Sequence, residues 1–115
     1  MTETALLQRI RLDLGREPDL RLFRSNTGKL QDQSGRWVEF GLHPGSGDLI
    51  GWRSLVVTPE LLGQRLAIFS SVEVKTSAGR PTPQQAHWAE VVRAAGGFAG
   101  VARSPEQARL IVGLA

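Results

Sequence analysis

The 115 residues contain no cysteine. That excludes a disulfide scaffold, a zinc ribbon, an iron–sulfur site and a thiol nucleophile. Lysine is almost missing too: of the 14 cationic side chains only Lys29 and Lys75 are lysines, and the rest are arginines. No apolar run approaches the roughly 20 residues that cross a bilayer. The first residues lack the basic and apolar regions of a secretory signal, so the expectation is a soluble, cytoplasmic protein with no membrane partner. The acids are scattered, leaving no acidic tail, and there is no internal repeat, linker or low-complexity segment. No H-x-x-x-H metal pair and no H-N-H signature occurs. His43 and His87 are expected on a loop and a helix surface.

What is present is ordinary for a globular protein: 41% hydrophobic and 22% charged residues. The length suits one domain over residues 1–115. A domain this small buries only about two-thirds of its unfolded surface, so a homodimer interface would help it. The formal net charge of +3 and a pI near 10.6 are compatible with a nucleic-acid partner without establishing one. In an arginine-rich chain, a lysine marks a place where a compact point charge is needed, although a bias in base composition gives the same pattern.

Helical spacing of Leu7, Ile10 and Leu14 predicts a helix over 3–14, with Thr2 as N-cap and Gly15 as stop. Glu3, four residues before Leu7, heads the face that this stripe buries. It is read equally as a first-turn acid favouring the helix dipole. Strands are expected over 20–24 and 37–40, with a loop or hairpin between them, and another begins after Asp48. The longest strand is expected over 66–76, where Ala67, Phe69, Ser71, Glu73 and Lys75 share one face. Thr82-Pro83 opens a helix that Gly96-Gly97 ends, with Gln85, Trp88, Val92 and Ala95 on one face. A strand over 98–102 and a helix opened by Ser104-Pro105 complete an α/β or α+β domain.

Asp48 stands where a glycine-rich loop, G-L-H-P-G-S-G-D, meets a strand. Glu73 and Lys75 project from one face near a strand's end. Should the two strands pair, both carboxylates and the ammonium converge. Two hard carboxylates with room for water describe a Mg²⁺ or Mn²⁺ site at about 2.1 Å to oxygen, with the Val74 carbonyl as a further ligand. Such a metal polarises a phosphodiester and activates water, while Lys75 orients that water and stabilises phosphoryl charge. Gln85, at the N-terminal end of its helix, reaches the same place. Taken singly, E-x-K is also what an exposed ion pair looks like, and an Asp after Gly-Ser-Gly is commonly a turn or cap residue. Arg24, Asn26, Lys29, Arg36 and Arg80 are candidate phosphate contacts, with a solvated basic surface as the other reading. Trp37, Trp52 and Trp88 suit a core or dimer interface better than base stacking.

The segments R-S-N-T-G (24–28), G-S-G-D-L-I-G (45–51), E-V-K (73–75), G-R-P-T-P-Q-Q (79–85) and A-G-G (95–97) follow one another in an order that resembles the VRR-NUC domain. That domain is a branch of the PD-(D/E)XK nuclease superfamily found as short stand-alone bacteriophage and bacterial chains. The resemblance spans roughly residues 3–103. It implies a restriction-endonuclease-like core, a central mixed β-sheet flanked by helices in the order α-β-β-β-α-β-α. It also implies a metal-dependent DNA endonuclease with Asp48 and Glu73 as metal ligands, Lys75 as the catalytic lysine, Gln85 as the motif glutamine and Glu3 as an additional first-helix acid. Gly47 replaces the proline of the superfamily's name; the Asp is the chemical requirement and the proline only shapes its turn. The family is similar to Holliday-junction resolvases, which implies a homodimer acting on branched DNA in phage replication, recombination or repair, within the bacterial host cell. No organic cofactor is called for. The competing expectations are a catalytically silent nucleic-acid-binding module of the same fold and a structural homodimer with an exposed ion pair.

Overall fold

The computed structural model describes residues 2–114. It divides into two compact units, one ending at Arg53 and the other beginning at Ser54, each with its own strand pairing.

In the first unit, α1 (Glu3–Leu14) begins where the Thr2 hydroxyl accepts the Ala5 N–H at 3.1 Å, and ends where the Gly15 N–H reaches the Arg11 carbonyl at 2.9 Å. Its expected stripe is only partly covered: Leu7 and Leu14 are half-buried, Ile10 is exposed and no residue of the helix is fully buried. Glu3 is exposed, which corrects the expectation that it heads a buried face. Helix α1 packs on β1 (Leu20–Arg24), where Leu20 and Leu22 are half-buried while Arg21 and Phe23 are exposed, the period-2 alternation of a strand with one covered face.

Strand β1 pairs antiparallel with β4 (Leu49–Arg53), Leu20 opposite Arg53 and Arg24 opposite Leu49. The backbones approach closely at Gly51, where a Cβ would lie 1.7 Å from the Arg21 carbonyl oxygen, so only glycine fits. Between them, β2 (Gly28–Gln31) and β3 (Trp37–Phe40) form a hairpin with Lys29 opposite Glu39.

The second unit opens with a 3₁₀ turn over Pro59–Leu61 and continues as β5 (Ser70–Val74), α2 (Pro83–Ala94), β6 (Phe98–Ala102) and α3 (Pro105–Ile111). Strands β5 and β6 are parallel, Ser70 opposite Phe98 and Val74 opposite Ala102, and α2 makes the crossover a parallel pair needs. Helix α2 lies on the Ser71/Glu73 face. Helix α3 lies on the other face of β6, where a Cβ at Gly100 would meet Ile111 side-chain atoms at 3.0 Å. The buried core of this sandwich is Val92, Ala99 and Ala102.

Several expectations are corrected. The strand expected over 66–76 is only five residues long, because its partner β6 is five residues long. Its burial runs opposite to hydrophobicity: Ser71 and Glu73 are half-buried under α2, whereas Val72 and Val74 are exposed. Five strands, not three, precede α2, because the 28–40 segment folds as a hairpin. Among the described residues the strands form three two-stranded ladders, two antiparallel and one parallel, in place of one central mixed sheet. Among the described residues no helix is long and apolar enough to cross a membrane.

The hairpin turn is held by one carboxylate. Asp32 Oδ1 accepts the Ser34 hydroxyl at 2.6 Å, the Ser34 N–H at 2.9 Å and the Arg36 N–H at 3.0 Å. These bonds, the Ser34 hydroxyl foremost, hold the Asp32 carboxyl below its ordinary value of 3.8. With the folded value below the unfolded one, the carboxylate's stabilisation of the turn is complete above 3.8 and is lost as pH falls through the folded value. An NMR titration of the Asp32 carboxyl carbon is therefore expected to have its midpoint below 3.8; a midpoint at or above that value would contradict these bonds. Ser34→Ala should move the midpoint upward.

Candidate active site

The E-V-K segment and the opening of α2 are joined through one side chain. Thr82 caps α2, its hydroxyl accepting the Gln85 N–H at 3.1 Å, while the Gln85 side-chain oxygen Oε1 accepts the Thr82 N–H at 2.9 Å. This capping box satisfies two N-terminal donors reciprocally. It also fixes which way the Gln85 amide points: with Oε1 committed to a backbone N–H, Nε2 is turned to β5, where it donates to Glu73 Oε1 at 3.1 Å. The reverse assignment would set an oxygen against a carboxylate and an NH₂ against an N–H. Gln84, by contrast, is exposed.

Just past the end of β5, Lys75 Nζ lies 3.5 Å from the same Glu73 Oε1, with side-chain exposures of 23% and 38% for Lys75 and Glu73. The period of the strand puts both on the face that α2 covers. Glu73 Oε1 is thus held by an amide and an ammonium, while Oε2 has no partner among the described residues. A cleft of about 170 Å³, lined in part by Glu73, Gln85 and Trp88, opens beside the carboxylate. Trp88 closes one side of it, donating its indole N–H to the Ser71 hydroxyl at 2.9 Å and meeting Phe69 edge-on at 6.1 Å between ring centroids.

The main chain supplies a further oxygen. Phe98 N–H bonds the Phe69 carbonyl at 2.9 Å and Lys75 N–H bonds the Ala102 carbonyl at 3.1 Å. In a parallel ladder this turns the backbone groups of 69, 71, 73 and 75 toward β6 and those of 70, 72 and 74 away. The Val74 carbonyl therefore faces the edge of β5 that has no ladder partner among the described residues. A carboxylate oxygen without a partner and a neighbouring free carbonyl are both hard ligands, the kind that Mg²⁺ or Mn²⁺ takes. No group of three or more His, Cys, Asp or Glu side chains that could hold a metal ion occurs among the described residues, so protein oxygens of other kinds and water would complete its shell.

Asp48 and Glu3 belong to the first unit. Asp48 directly precedes β4, and its carbonyl accepts the Ser25 N–H at 2.9 Å, extending the β1–β4 ladder by one bond. This brings the 24–28 and 45–51 segments side by side, with the Asp48 side chain exposed. Gly41, at φ +85°, passes so close to Asn26 that a Cβ would lie 2.1 Å from its carbonyl oxygen, which fixes the backbone on either side of Asn26. The candidate phosphate contacts divide. Lys29 faces Glu39 at 3.7 Å and Arg36 faces Asp32 at 3.7 Å, both well exposed. Arg24 and Arg80 are exposed, the latter beside an open cleft of about 600 Å³ shared with Arg103.

Arg103 has no signature in the sequence, being one arginine among twelve, yet it clasps the loop after Lys75. Its Nη1 donates to the Thr76 carbonyl at 2.5 Å and the Gly79 carbonyl at 2.6 Å, and Gln107 Oε1 accepts its backbone N–H at 2.6 Å. The 76–79 loop joins Lys75 to the capping box of α2, so this clasp sets where both begin.

The VRR-NUC domain family model matches residues 29–106. That is more than half of the chain, and the protein belongs to this family, which assigns it a nuclease-type function. No curated protein and no solved structure matches the chain. The match takes in Lys29, Arg36, Asp48, Glu73, Val74, Lys75, Arg80 and Gln85 and begins after Glu3, Arg24 and Asn26, a shorter span than the resemblance over 3–103.

Two substitutions separate the roles of these groups. Gln85→Glu keeps the capping box, since glutamate serves equally at that position, but sets a carboxylate against Glu73. A melting temperature near wild type with nuclease activity lowered at least about tenfold is expected, an effect worth about 1.4 kcal/mol; unchanged activity would show that the Gln85–Glu73 bond is idle. Arg103→Ala should speed amide hydrogen exchange in residues 76–80, where the Gly79 N–H now bonds the Thr76 carbonyl, and leave exchange in α1 unaltered.

Proposed function

We propose that the protein is a Mg²⁺- or Mn²⁺-dependent DNA endonuclease that hydrolyses phosphodiester bonds, acting on branched or structured DNA in the manner of a junction resolvase. Family membership supports DNA as the substrate. The observation that carries the reading is the double anchoring of Glu73 Oε1 by Gln85 and Lys75, which leaves Oε2 free for a ligand.

In this reading Asp48 and Glu73 are the ligating carboxylates and the Val74 carbonyl is a third oxygen. A divalent ion held by these oxygens would supply Lewis acidity and a means of activating water. Gln85 keeps the Glu73 carboxylate in one rotamer, which removes reorganisation from the reacting geometry. Lys75, with three donors on a point charge, hydrogen-bonds the attacking water or the phosphoryl oxygens as their charge grows. Glu3 serves as an additional acid, and Arg24, Asn26, Lys29, Arg36 and Arg80 contact phosphates. The whole chain works as one nuclease domain, paired as a homodimer so that two sites meet a branched substrate, in the cytoplasm of a bacterial host if phage-encoded.

A cleavage panel of four-way junction, flap, duplex and single-stranded DNA, with Mn²⁺ and with chelator, tests this. Metal-dependent cleavage that favours the branched substrates is expected. Lys75→Ala should lower the rate by about 10²-fold or more, the usual loss when a donor to developing charge is removed. Cleavage in chelator, or Glu73→Ala cutting as fast as wild type, would overturn the assignment. Salt-sensitive binding without cleavage under any metal would identify a catalytically silent DNA-binding module.

A further inference from the structure

The family match begins at Lys29, so α1, β1 and the turn between them lie outside it. These elements enclose a groove of about 610 Å³ in the first unit. Its floor includes Leu14, Leu20 and Leu22, all half-buried. Arg11 from the last turn of α1, Arg16 from the turn and Arg21 from β1 also line it, all exposed. Glu17 is the sole acid among the lining residues.

One arginine at the end of α1 would be explained by the helix dipole. Three around one groove would not. Three arginines and one acid line the groove, and no side-chain ion pair or hydrogen bond engages any of the three arginines among the described residues. Like charges gathered without partners repel, and the potential they create draws an anion. The chemistry of the lining selects which anion. Guanidinium forks match phosphate oxygens bidentately, and an apolar floor between them suits the sugar that separates consecutive phosphates.

We propose that the α1–β1 groove is a second DNA contact, in which Arg11, Arg16 and Arg21 bind backbone phosphates apart from the E-V-K site. The proposal rests on DNA being the substrate, but not on cleavage. It gives a small nuclease an electrostatic hold on its substrate supplied by the segment its family model does not include.

The test is DNA binding by fluorescence anisotropy in chelator, where no metal-dependent cutting occurs, at salt concentrations between about 50 and 200 mM. Arg11→Gln/Arg16→Gln/Arg21→Gln should flatten the slope of log affinity against log salt by about two to three and weaken binding about 10- to 100-fold. Glu17→Gln should tighten binding a few-fold, a gain that misfolding cannot imitate. A triple variant with wild-type slope and affinity overturns the proposal, as does wild-type protein that binds no DNA. The groove would instead be a site for free polyphosphate if inorganic pyrophosphate alone raised the wild-type melting temperature while the triple variant bound DNA normally. Wild-type protein that binds through the groove but never cuts would sink the nuclease reading and leave this one standing.

Discussion

The Gln85 side chain is the joint on which the second unit turns. Its oxygen closes the N-terminus of α2 and its nitrogen grips Glu73 on β5, so one amide starts a helix and holds a carboxylate at once. A planar amide has its donor and acceptor a fixed distance apart on opposite sides. The helix start and the carboxylate are therefore set relative to each other by covalent geometry, not by packing alone. Trp88, one turn further along α2, repeats the gesture with Ser71. Two polar groups of β5 are thereby drawn under the helix, where an unpaired hydroxyl or carboxylate would be costly.

That arrangement accounts for the inverted burial of β5. Valine would ordinarily claim the helix-facing side of a strand, and serine and glutamate the solvent side. Here the donors offered by Gln85 and Trp88 make the polar face the one α2 covers, and Val72 and Val74 stand outward. Nothing within Leu66–Thr76 announces this, since alternation states only that two faces differ, not which one a distant helix will choose.

What was legible in the sequence was local. Thr2, Thr82 and Ser104 each cap the helix they precede, and the strands over 20–24, 37–40 and 98–102 begin and end where turn residues place them. The pairing of Glu73 with Lys75 followed from the period of a strand, and the choice of Gln85 over Gln84 from the spacing after Pro83 in the motif the chain resembles. What escaped was set by partners far along the chain. The length of β5 is dictated by β6, the outward position of Glu3 by how little of α1 the first unit covers, and the role of Arg103 by two carbonyls more than twenty positions earlier. The three arginines of the α1–β1 groove recur every fifth residue, a spacing that is neither a helix period nor a strand period; the turn after Gly15 brings their segments together.

At Asp48, main chain and side chain have separate duties. The carbonyl completes the β1–β4 ladder through Ser25, while the carboxylate takes no part in it. Any residue of suitable backbone habit can keep the ladder bond, whereas the proposed hold on a divalent cation needs the carboxylate. Selection on shape and selection on chemistry thus act on different atoms of one residue. On the proposed reading, a substitution of this acid would cost the cation ligand and leave the β1–β4 ladder, and with it the form of the unit, unaltered.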